Sequence, residues 1–367
     1  MILKSLNVTN FRNYNTLSLT LHDKINIIYG ENGQGKSNLL ESIYVLGLTK
    51  SHRLSIDEHL IKENCLFSKI KGIVEQDGYK KTLEIHLKEN QKEYKIDADP
   101  IKKVGDYITN LSVIIFYPED LEIIKGSPAI RRKFINAEMS QLQRGYYAVL
   151  SDYNKLLKMR NEYLKNPNFD TVYFEILTNH FIDKAFTIYK MRQKFIDRIN
   201  EYVEDIYLNI MNLKNFKIEY QISELSFSGD ITREEIYAYY QKVKDKEQFY
   251  QKTLFGPHKD DIVFFLDEKD MKSYASQGQQ RVAVLAFKLA LLELFKKYKQ
   301  ENPILLLDDV FSELDNEKKA NLLSYIGDNI QTIITTTELD YLNEDIKKHA
   351  KLIKIAHGEI IKQEEVE

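Results

Sequence analysis

The sequence is poor in the features that mark secreted, disulfide-stabilised or membrane-embedded proteins. Its 367 residues include one cysteine, Cys65, so no disulfide can form within the chain. No charged and then apolar leader precedes a small-residue cleavage site, and no apolar run approaches the roughly 20 residues that span a bilayer. We therefore expect a soluble protein of the reducing cytoplasm that has no membrane segment or membrane partner.

The bulk charge does not identify a partner. The formal net charge is −3, although charged residues make up 29% of the chain, so a polyanion would have to meet a local basic face. Bulk charge therefore neither predicts nor excludes nucleic acid. Zinc-ligand spacing and a helix-turn-helix pattern are both lacking, which argues against sequence-specific readout of DNA.

A glycine-rich loop follows a short apolar run near the start of the chain. Residues 30–37 read G-E-N-G-Q-G-K-S and match the phosphate-loop pattern G-x-x-x-x-G-K-S. The β-branched residues before the loop indicate a buried strand, and the apolar residues after it recur at helical spacing. Glycine lets backbone N–H groups approach phosphates, and a helix N-terminus adds favourable partial charge. The pattern predicts a nucleotide site formed by Gly30, Glu31, Asn32, Gly33, Gln34, Gly35, Lys36, Ser37 and Asn38.

Within this loop, Lys36 is expected to reach the β- and γ-phosphates, and Ser37 to offer its hydroxyl to Mg²⁺. The carboxylates for the same site follow the apolar residues of "NPILLLDDVFSELD", residues 302–315. Residues 304–307 predict a central parallel strand, and ligands bind at the carboxyl ends of such strands. We expect Asp308 to bind the metal and Asp309 to polarise the attacking water. A simple Asp-Asp turn after a core strand is the alternative.

The segment "SQGQQR" at residues 276–281 precedes a long apolar helix pattern. Ser276 is a plausible helix N-cap, and Gly278 leaves room for a ligand. The segment resembles the signature loop of the ABC-type ATPases, and "SELD" at 312–315 resembles their D-loop. In that family the signature loop of one subunit closes on the nucleotide held by the phosphate loop of another. The resemblance implies an ATP-dependent homodimer in which Ser276, Gly278 and Gln279 contact the partner's ATP. A capped core helix without a ligand is the alternative.

Three further motifs narrow the resemblance to the RecF family, in the SMC-like branch of these ATPases. They are N-F-R at residues 10–12, "FYPEDLEIIKGSPAIRRKFIN" at 116–136 and "GPHKDDI" at 256–262. The resemblance covers nearly the whole chain. It implies that Arg12 lies near the phosphates, that the ligand is duplex or gapped DNA including single-strand to double-strand junctions, and that RecO and RecR are partners in RecA loading. In the absence of the resemblance, Arg131 and Arg132 are equally explained as a solvated helix face.

The fold class that follows is α/β. We expect an ABC-type P-loop ATPase head, with a mixed sheet, flanking helices and an antiparallel strand region, and an inserted α-helical arm. The expected domains are residues 1–125 and 251–367 for the head and 126–250 for the arm. The parallel strands are expected at 25–29, 304–307 and 332–335, and "VEQDGYKKTLEIHL" and "KEYKID" predict the antiparallel region, with a turn at Asp77-Gly78.

Two departures from the ABC-type pattern imply slow ATP hydrolysis that acts as a switch, and the RecF resemblance implies that this hydrolysis depends on DNA. Asp309 stands where transporter ATPases have glutamate, and threonines at 335–337 stand where a switch histidine is usual. For DNA contact, "KLLKMRNEYLK" at 155–165 and "YKMRQKFIDRIN" at 189–200 are basic helices that suit phosphates. Each is equally an ordinary amphipathic surface helix.

Two other functions remain open at this point. The first is an ATPase fused to a nuclease or defence activity, as in overlapping-lid proteins, which needs a compact acidic metal cluster that the sequence does not show. The second is the ATPase subunit of a transporter, which the long insertion before residue 276 disfavours.

Overall fold

The computed structural model describes residues 1–54, 56–166, 170–223, 231–312, 318, 319, 321, 322, 329–342 and 344–365. The strands are β1 (Ile2–Phe11), β2 (Tyr14–Thr20), β3 (Ile25–Tyr29), β4 (Phe67–Gln76), β5 (Tyr79–Lys88), β6 (Gln91–Ile96), β7 (Asp99–Pro100), β8 (Val113–Phe116), β9 (Phe216–Gln221), β10 (Asp261–Leu266), β11 (Lys269–Asp270), β12 (Ile304–Asp308), β13 (Thr332–Thr336), β14 (Ala350–Ala356) and β15 (Glu359–Glu365). The helices are α1 (Lys36–Leu48), α2 (Val104–Ile108), α3 (Glu122–Lys125), α4 (Pro128–Leu142), α5 (Tyr146–Tyr163), α6 (Thr171–Met211), α7 (Arg233–Tyr250), α8 (Met271–Tyr274), α9 (Gln277–Leu294) and α10 (Glu344–Lys348).

The chain forms two compact units. The first unit comprises residues 1–120 and 291–367, and the second comprises residues 121–290. The second unit therefore includes residues 251–290, which the sequence assigns to the head. The three domain limits stay a prediction.

A mostly parallel sheet forms the core of the first unit. Its strand order is β15-β14-β3-β13-β12-β8, and β3 pairs in parallel with both β13 and β14. Strand β12 pairs in parallel with β13 and β8. The apolar residues of β12 are fully buried, as expected for a strand covered on both faces. The predicted parallel strands are confirmed, and their carboxyl ends place the phosphate loop beside Asp308.

A second sheet of the same unit is antiparallel, with the order β2-β1-β4-β5-β6-β7. Asp77 and Gly78 join β4 to β5 with φ angles of 51° and 80°, the positive values that a tight hairpin turn of the right twist requires. The predicted antiparallel region and its turn are confirmed.

The second unit contains helices α4 to α7 and a three-stranded sheet. Helix α6 has 41 residues, and the Asp170 carboxylate caps it by accepting the N–H groups of Val172 and Tyr173. Strands β9 and β10 pair in antiparallel register, with β11 on the other side of β10. The predicted arm is mainly helical, and it also contributes β9, whose partner β10 comes from residues about forty positions later. Of the predicted helix breaks, 226–230 and most of 166–169 lie outside the described residues. No described helix is long and apolar enough to cross a membrane.

Candidate nucleotide-binding site

The phosphate loop connects β3 to α1 in a conformation that depends on glycine. Gly35 has a φ of 110°, and a Cβ there would lie 2.5 Å from Nδ2 of Asn13. A Cβ on Gly30 would overlap the carbonyl oxygen of Ile355. Helix α1 begins at Lys36 without a side-chain cap, so its first N–H groups have no intrahelical partner. The loop thus presents the free helix N-terminus that binds anions.

Lys36 is folded into this loop. Its ammonium donates to the carbonyls of Gly30 at 2.6 Å and Glu31 at 2.8 Å, and the side chain is buried. Burial lowers the pKa of Lys36, while Asp309 and Asp308 act in the opposite direction. The cation is therefore held at the loop and close to both carboxylates.

A chain of hydrogen bonds joins the phosphate loop to β12 and β13. The Ser37 hydroxyl donates to Oδ1 of Asp308 at 2.8 Å, and the Thr335 hydroxyl donates to the same oxygen at 2.7 Å. The N–H of Asp309 donates to the Thr335 hydroxyl at 3.0 Å. The structure therefore brings Ser37, Asp308 and Asp309 together, as the sequence predicts. Thr335, one of the three threonines predicted in place of a switch histidine, contacts both aspartates.

Asp309 has unused bonding capacity. Its Oδ1 is buried and has no hydrogen-bond partner among the residues that the structure describes. Burial, and then the charge of Asp308, raise the pKa of Asp309. Its φ of 53° is unusual for a non-glycine residue, and strained backbone often occurs at functional sites. A buried acceptor with no partner suits a water molecule or a ligand.

These residues fit Mg²⁺ and a nucleotide. Within the described ranges, no group of three or more His, Cys, Asp or Glu side chains could hold a metal ion. Mg²⁺ in nucleotide sites is typically bound by one or two protein oxygens, with phosphates and water completing its shell. Ser37 and Asp308 supply two such oxygens beside the phosphate loop.

The turn between β1 and β2 supports the loop and was not predicted as part of the site. Asn13 donates to the carbonyl of Gln34 at 3.3 Å and accepts from Asn38 at 2.9 Å. The Tyr14 hydroxyl donates to the carbonyl of Gly35 at 2.9 Å. Both residues directly follow the N-F-R motif, which is the signal that could have indicated them.

The turn between β14 and β15 contacts the loop from the far end of the sequence. The N–H of His357 donates to the Gln34 side chain at 2.6 Å, and the N–H of Gly358 donates to the Gln34 carbonyl at 3.2 Å. Because this contact joins residues more than 300 positions apart, no local pattern could predict it. Gln34 is thereby fixed between two turns, while Glu31, Asn32 and Gly33 are exposed.

Arg12 is held by α1. Its guanidinium donates to both carboxylate oxygens of Glu41, at 2.8 Å and 3.2 Å, and to the carbonyl of His59 at 3.2 Å. Glu41 is fully buried, whereas the Arg12 side chain keeps 21% exposure. The pair places Arg12 one helical turn beyond Ser37, and its contact with phosphate stays a prediction.

The predicted signature segment lies in the second unit. Ser276 is the residue before α9. Its N–H donates to the Gln279 side chain at 2.8 Å, and its hydroxyl accepts the Gln279 N–H at 3.3 Å. This reciprocal capping box confirms the predicted N-cap. A Cβ on Gly278 would meet nothing within 4 Å, so packing within the chain does not require glycine there. Of the predicted D-loop, residues 313–315 lie outside the described residues.

Two arginines of the motif at 116–136, Arg131 and Arg132, form bonds within the second unit. Arg131 makes a bidentate pair with Asp261, at 2.6 Å and 2.8 Å, and Arg132 donates to the carbonyl of Asp260 at 2.5 Å. Arg131 is buried, so the interpretation of a solvated face is wrong for it. The charged motifs at 116–136 and 256–262 are joined to each other by these bonds.

The two basic helices proposed for DNA contact also direct their central arginines inward. Arg160 pairs with Glu247 at 2.5 Å, and Arg192 pairs with Asp260 at 3.3 Å; all four side chains are nearly inaccessible. These arginines cannot contact DNA in this structure, because they are buried. Moving either one to the surface would leave the buried carboxylate of Glu247 or Asp260 without its cation, which is strongly unfavourable. Only the lysines of these helices, and Arg198, remain as candidates.

Comparisons with known proteins agree with this geometry. The family model described as RecF/RecN/SMC N terminal domain matches residues 2–361. A relative from Staphylococcus carnosus, named DNA replication and repair protein RecF, is 40% identical and covers 99% of this chain and 100% of its own. A solved structure of the recombination mediator protein RecF with ATP, in the RecFOR pathway, is 33% identical with a TM-score of 0.90 and covers 99% and 97% of the two chains. An Smc head domain from Pyrococcus furiosus, 14% identical with a TM-score of 0.54 and covering 99% and 96%, shares the fold.

Proposed function

Because the chain belongs to the RecF/RecN/SMC N-terminal domain family, and within it to the RecF proteins, we propose that it is an ATP-dependent DNA-binding protein of replication and recombinational repair. The observation that carries the proposal is the hydrogen-bonded chain from Ser37 through Asp308 and Thr335 to Asp309. These side chains lie beside the phosphate loop in the arrangement that ATP hydrolysis requires.

Each of these residues has a distinct task in hydrolysis. The free N–H groups of the loop and the Lys36 ammonium bind the phosphates. Ser37 and Asp308 would hold Mg²⁺, which neutralises charge on the phosphates during transfer. Asp309 positions the attacking water with its unpartnered oxygen, and Thr335 fixes the orientation of Asp308 and of the Asp309 backbone.

The site is completed by a second copy of the chain. Ser276, Gly278 and Gln279 present a capped helix N-terminus with open space at Gly278, which suits a phosphate held by another phosphate loop. ATP then joins two copies, and hydrolysis separates them. The support for this step is the local geometry of α9 together with the family.

Hydrolysis is slow and acts as a timer. The carboxylate of Asp309 is one methylene shorter than glutamate, and a threonine occupies the switch-histidine position. Both features leave the attacking water less well held, and water positioning sets much of the rate of phosphoryl transfer. A switch of this kind fits a protein that binds DNA for a limited time and does no mechanical work.

The DNA ligand is duplex or gapped and is bound without sequence specificity. Contact through lysines to phosphates makes affinity fall steeply with salt. RecO and RecR are the proposed protein partners, RecA loading is the downstream event, and the cytoplasm is the proposed location. These assignments come from the family and from the pathway named for the solved RecF structure.

Sizing of the protein by light scattering, with and without ATP, tests the proposal. We expect a dimer only with ATP, and we expect the Lys36→Arg and Ser276→Arg variants to stay monomeric. Dimers that form without nucleotide, or a Ser276→Arg variant that dimerises and hydrolyses ATP normally, would contradict it. A metal-dependent cleavage assay on the same preparations tests the alternative of a fused nuclease.

A further inference from the structure

Two large aromatic side chains at the C-terminal end of α7 point into solvent. Phe249 is 81% exposed and Tyr250 is 63% exposed. Their rings lie 5.1 Å apart at an interplanar angle of 85°, so each ring keeps a free face. Two exposed rings side by side form a contiguous apolar patch, which is the kind of surface that marks interaction sites.

The exposed rings of Phe249 and Tyr250 line a surface cavity. The cavity has a volume of about 570 Å³, and its apolar walls are formed by Tyr239, Val243, Leu254 and Phe255. Glu247 holds the segment after α7 in place, since its carboxylate pairs with Arg160 at 2.5 Å and accepts the N–H of Leu254 at 2.8 Å.

A second bond anchors the same segment, because the N–H of Thr253 donates to the side chain of Asn161 at 2.7 Å. The surface is therefore built on α5 and α7 together and is preorganised, which lowers the entropic cost of binding a ligand.

The charge around the rings is positive. Lys242, Lys244, Lys246 and Lys252 lie in or just after this part of α7, and Asp245 is the one exposed carboxylate between them. No ion pair involves these five residues in the described part of the chain. Lys242 and Lys246 are spaced i, i+4, where like charges destabilise a helix. The arrangement favours an anionic ligand that carries flat apolar groups.

We propose that this surface, defined by Phe249, Tyr250, Lys242 and Lys246, binds single-stranded DNA. Unpaired bases stack on aromatic rings whatever their identity, and lysines neutralise the phosphates between them. Duplex DNA does not fit, because its bases are already stacked. The proposal rests on the proposed function and deepens it, since a strand-selective site on the arm would let the protein recognise the unpaired side of a gap.

The absence of tryptophan from the chain makes a direct test possible. In a Phe249→Trp variant the only tryptophan reports on the site, and its emission should be quenched by an oligothymidylate of about 20 nucleotides as bases stack on it. Tyr79→Trp is the matched control, since Tyr79 is 77% exposed and lies on β5 of the other unit. Unchanged emission at position 249, or equal quenching at position 79, overturns the proposal.

Affinity measurements by fluorescence anisotropy separate the two kinds of contact. The Phe249→Ala, Tyr250→Ala double variant should bind the oligothymidylate roughly tenfold more weakly, with an unchanged salt dependence. The Lys242→Gln, Lys246→Gln double variant should lower the slope of log affinity against log salt by about 0.7 for each lysine that contacts a phosphate. Wild-type affinity in both variants would overturn the inference.

Duplex binding with ATP is measured in the same preparations. We expect both double variants to bind duplex DNA and to hydrolyse ATP as the wild type does. If the wild type binds neither form of DNA, the proposed function fails. If it binds duplex DNA with ATP and the double variants bind oligothymidylate normally, only the present inference fails.

Discussion

The Thr335 hydroxyl donates a hydrogen bond of 2.7 Å to the carboxylate of Asp308. Thr335 is fully buried on β13. Its hydroxyl also accepts the N–H of Asp309, the residue after Asp308, at 3.0 Å. One hydroxyl thus contacts the carboxylate that we propose binds the metal and the backbone of the residue that we propose positions the water. If Thr335 replaces the switch histidine, as the sequence comparison predicts for residues 335–337, it acts through the aspartates.

Thr335→Val keeps the shape of the side chain and removes both hydrogen bonds. We expect kcat for ATP to fall roughly tenfold or more, because misplaced reacting groups lose orientation, while KM changes little. The unpaired N–H of Asp309 should also cost about 1–2 kcal/mol in the free energy of unfolding. Steady-state kinetics and urea unfolding measure the two effects.

Thr336→Val is the matched control for this experiment. Thr336 is the next residue on β13 and equally buried, and its hydroxyl donates to the carbonyl of Glu338 at 2.8 Å without contacting the site. A similar loss of kcat in both variants would show that Thr335 has only a structural role.

Gly278→Val tests whether α9 meets a ligand from another molecule. A Cβ at this position meets nothing within 4 Å, so we expect the melting temperature and the binding of ATP by the monomer to be unchanged. ATP-dependent dimerisation and hydrolysis should be lost, because the side chain occupies the place of the partner's phosphate. Light scattering and an ATPase assay read the outcome.

Mixing Gly278→Val with Lys36→Met provides the control for that prediction. Each mixed dimer contains one site built from an intact phosphate loop and an intact α9, so part of the activity should return. Two inactive proteins that stay inactive together would argue against a shared site.

Arg12 and Glu41 form a pair whose structural and ligand-binding roles can be separated. Arg12→Ala leaves the fully buried Glu41 without its cation, which we expect to lower the free energy of unfolding by about 3 kcal/mol. The Arg12→Met, Glu41→Gln double variant is neutral and similar in volume, and should recover most of that loss. If Arg12 also binds phosphate, ATP affinity measured by titration calorimetry stays low in the double variant. Equal stability of the single and double variants would contradict the buried-charge argument.

The strands of the head could be predicted because their signal is local. Residues 304–307 are a short apolar run and residues 332–335 are all β-branched, and they form β12 and β13 as predicted. The partner of Asp308 could not be predicted in the same way. Thr335 reaches Asp308 only because β13 lies between β3 and β12 in the sheet, and strand order depends on contacts between distant residues.

The charges of the second unit illustrate the opposite case. Arg160 and Arg192 occur in helices that look basic in sequence, yet both are buried against the carboxylates of Glu247 and Asp260. Sequence spacing reports which residues share a helix face, but burial of that face depends on what packs against it. Basic composition therefore made DNA contact one interpretation of both helices, although their central arginines form buried ion pairs.

His258 makes the stability of the second unit depend on pH. Its Nε2 donates to the carbonyl of Thr253, its Nδ1 accepts from the Tyr153 hydroxyl, and burial lowers the pKa of His258 from 6.5 to about 4. Because the folded pKa lies below the unfolded one, the neutral ring contributes stability that is present above pH 6.5 and is lost as the pH falls towards 4. We expect the stability advantage of the wild type over His258→Gln to shrink by about 1.4 kcal/mol per pH unit in that window. Urea unfolding at pH 7, 5.5 and 4.5 measures it, and a constant difference would refute the assignment.

We expect Asp309 to set the lifetime of the ATP-bound state. If its unpartnered Oδ1 positions the attacking water, Asp309→Asn should slow hydrolysis about 100-fold or more without weakening ATP binding. Burial and Asp308 raise the pKa of Asp309, which means that its charge is unfavourable in the folded protein, and the neutral variant should be slightly more stable. The dimer should then persist with ATP on sizing.

Asp309→Glu extends the carboxylate by one methylene and should raise the rate, since glutamate is the residue that faster ABC-type ATPases carry. Single-turnover hydrolysis in the dimer measures both variants against the wild type. Slower hydrolysis in Asp309→Asn together with faster hydrolysis in Asp309→Glu would locate the timer in this one side chain. Rates that do not change in either variant would place the limiting step elsewhere, in dimer assembly or product release, and would remove Asp309 from the chemistry.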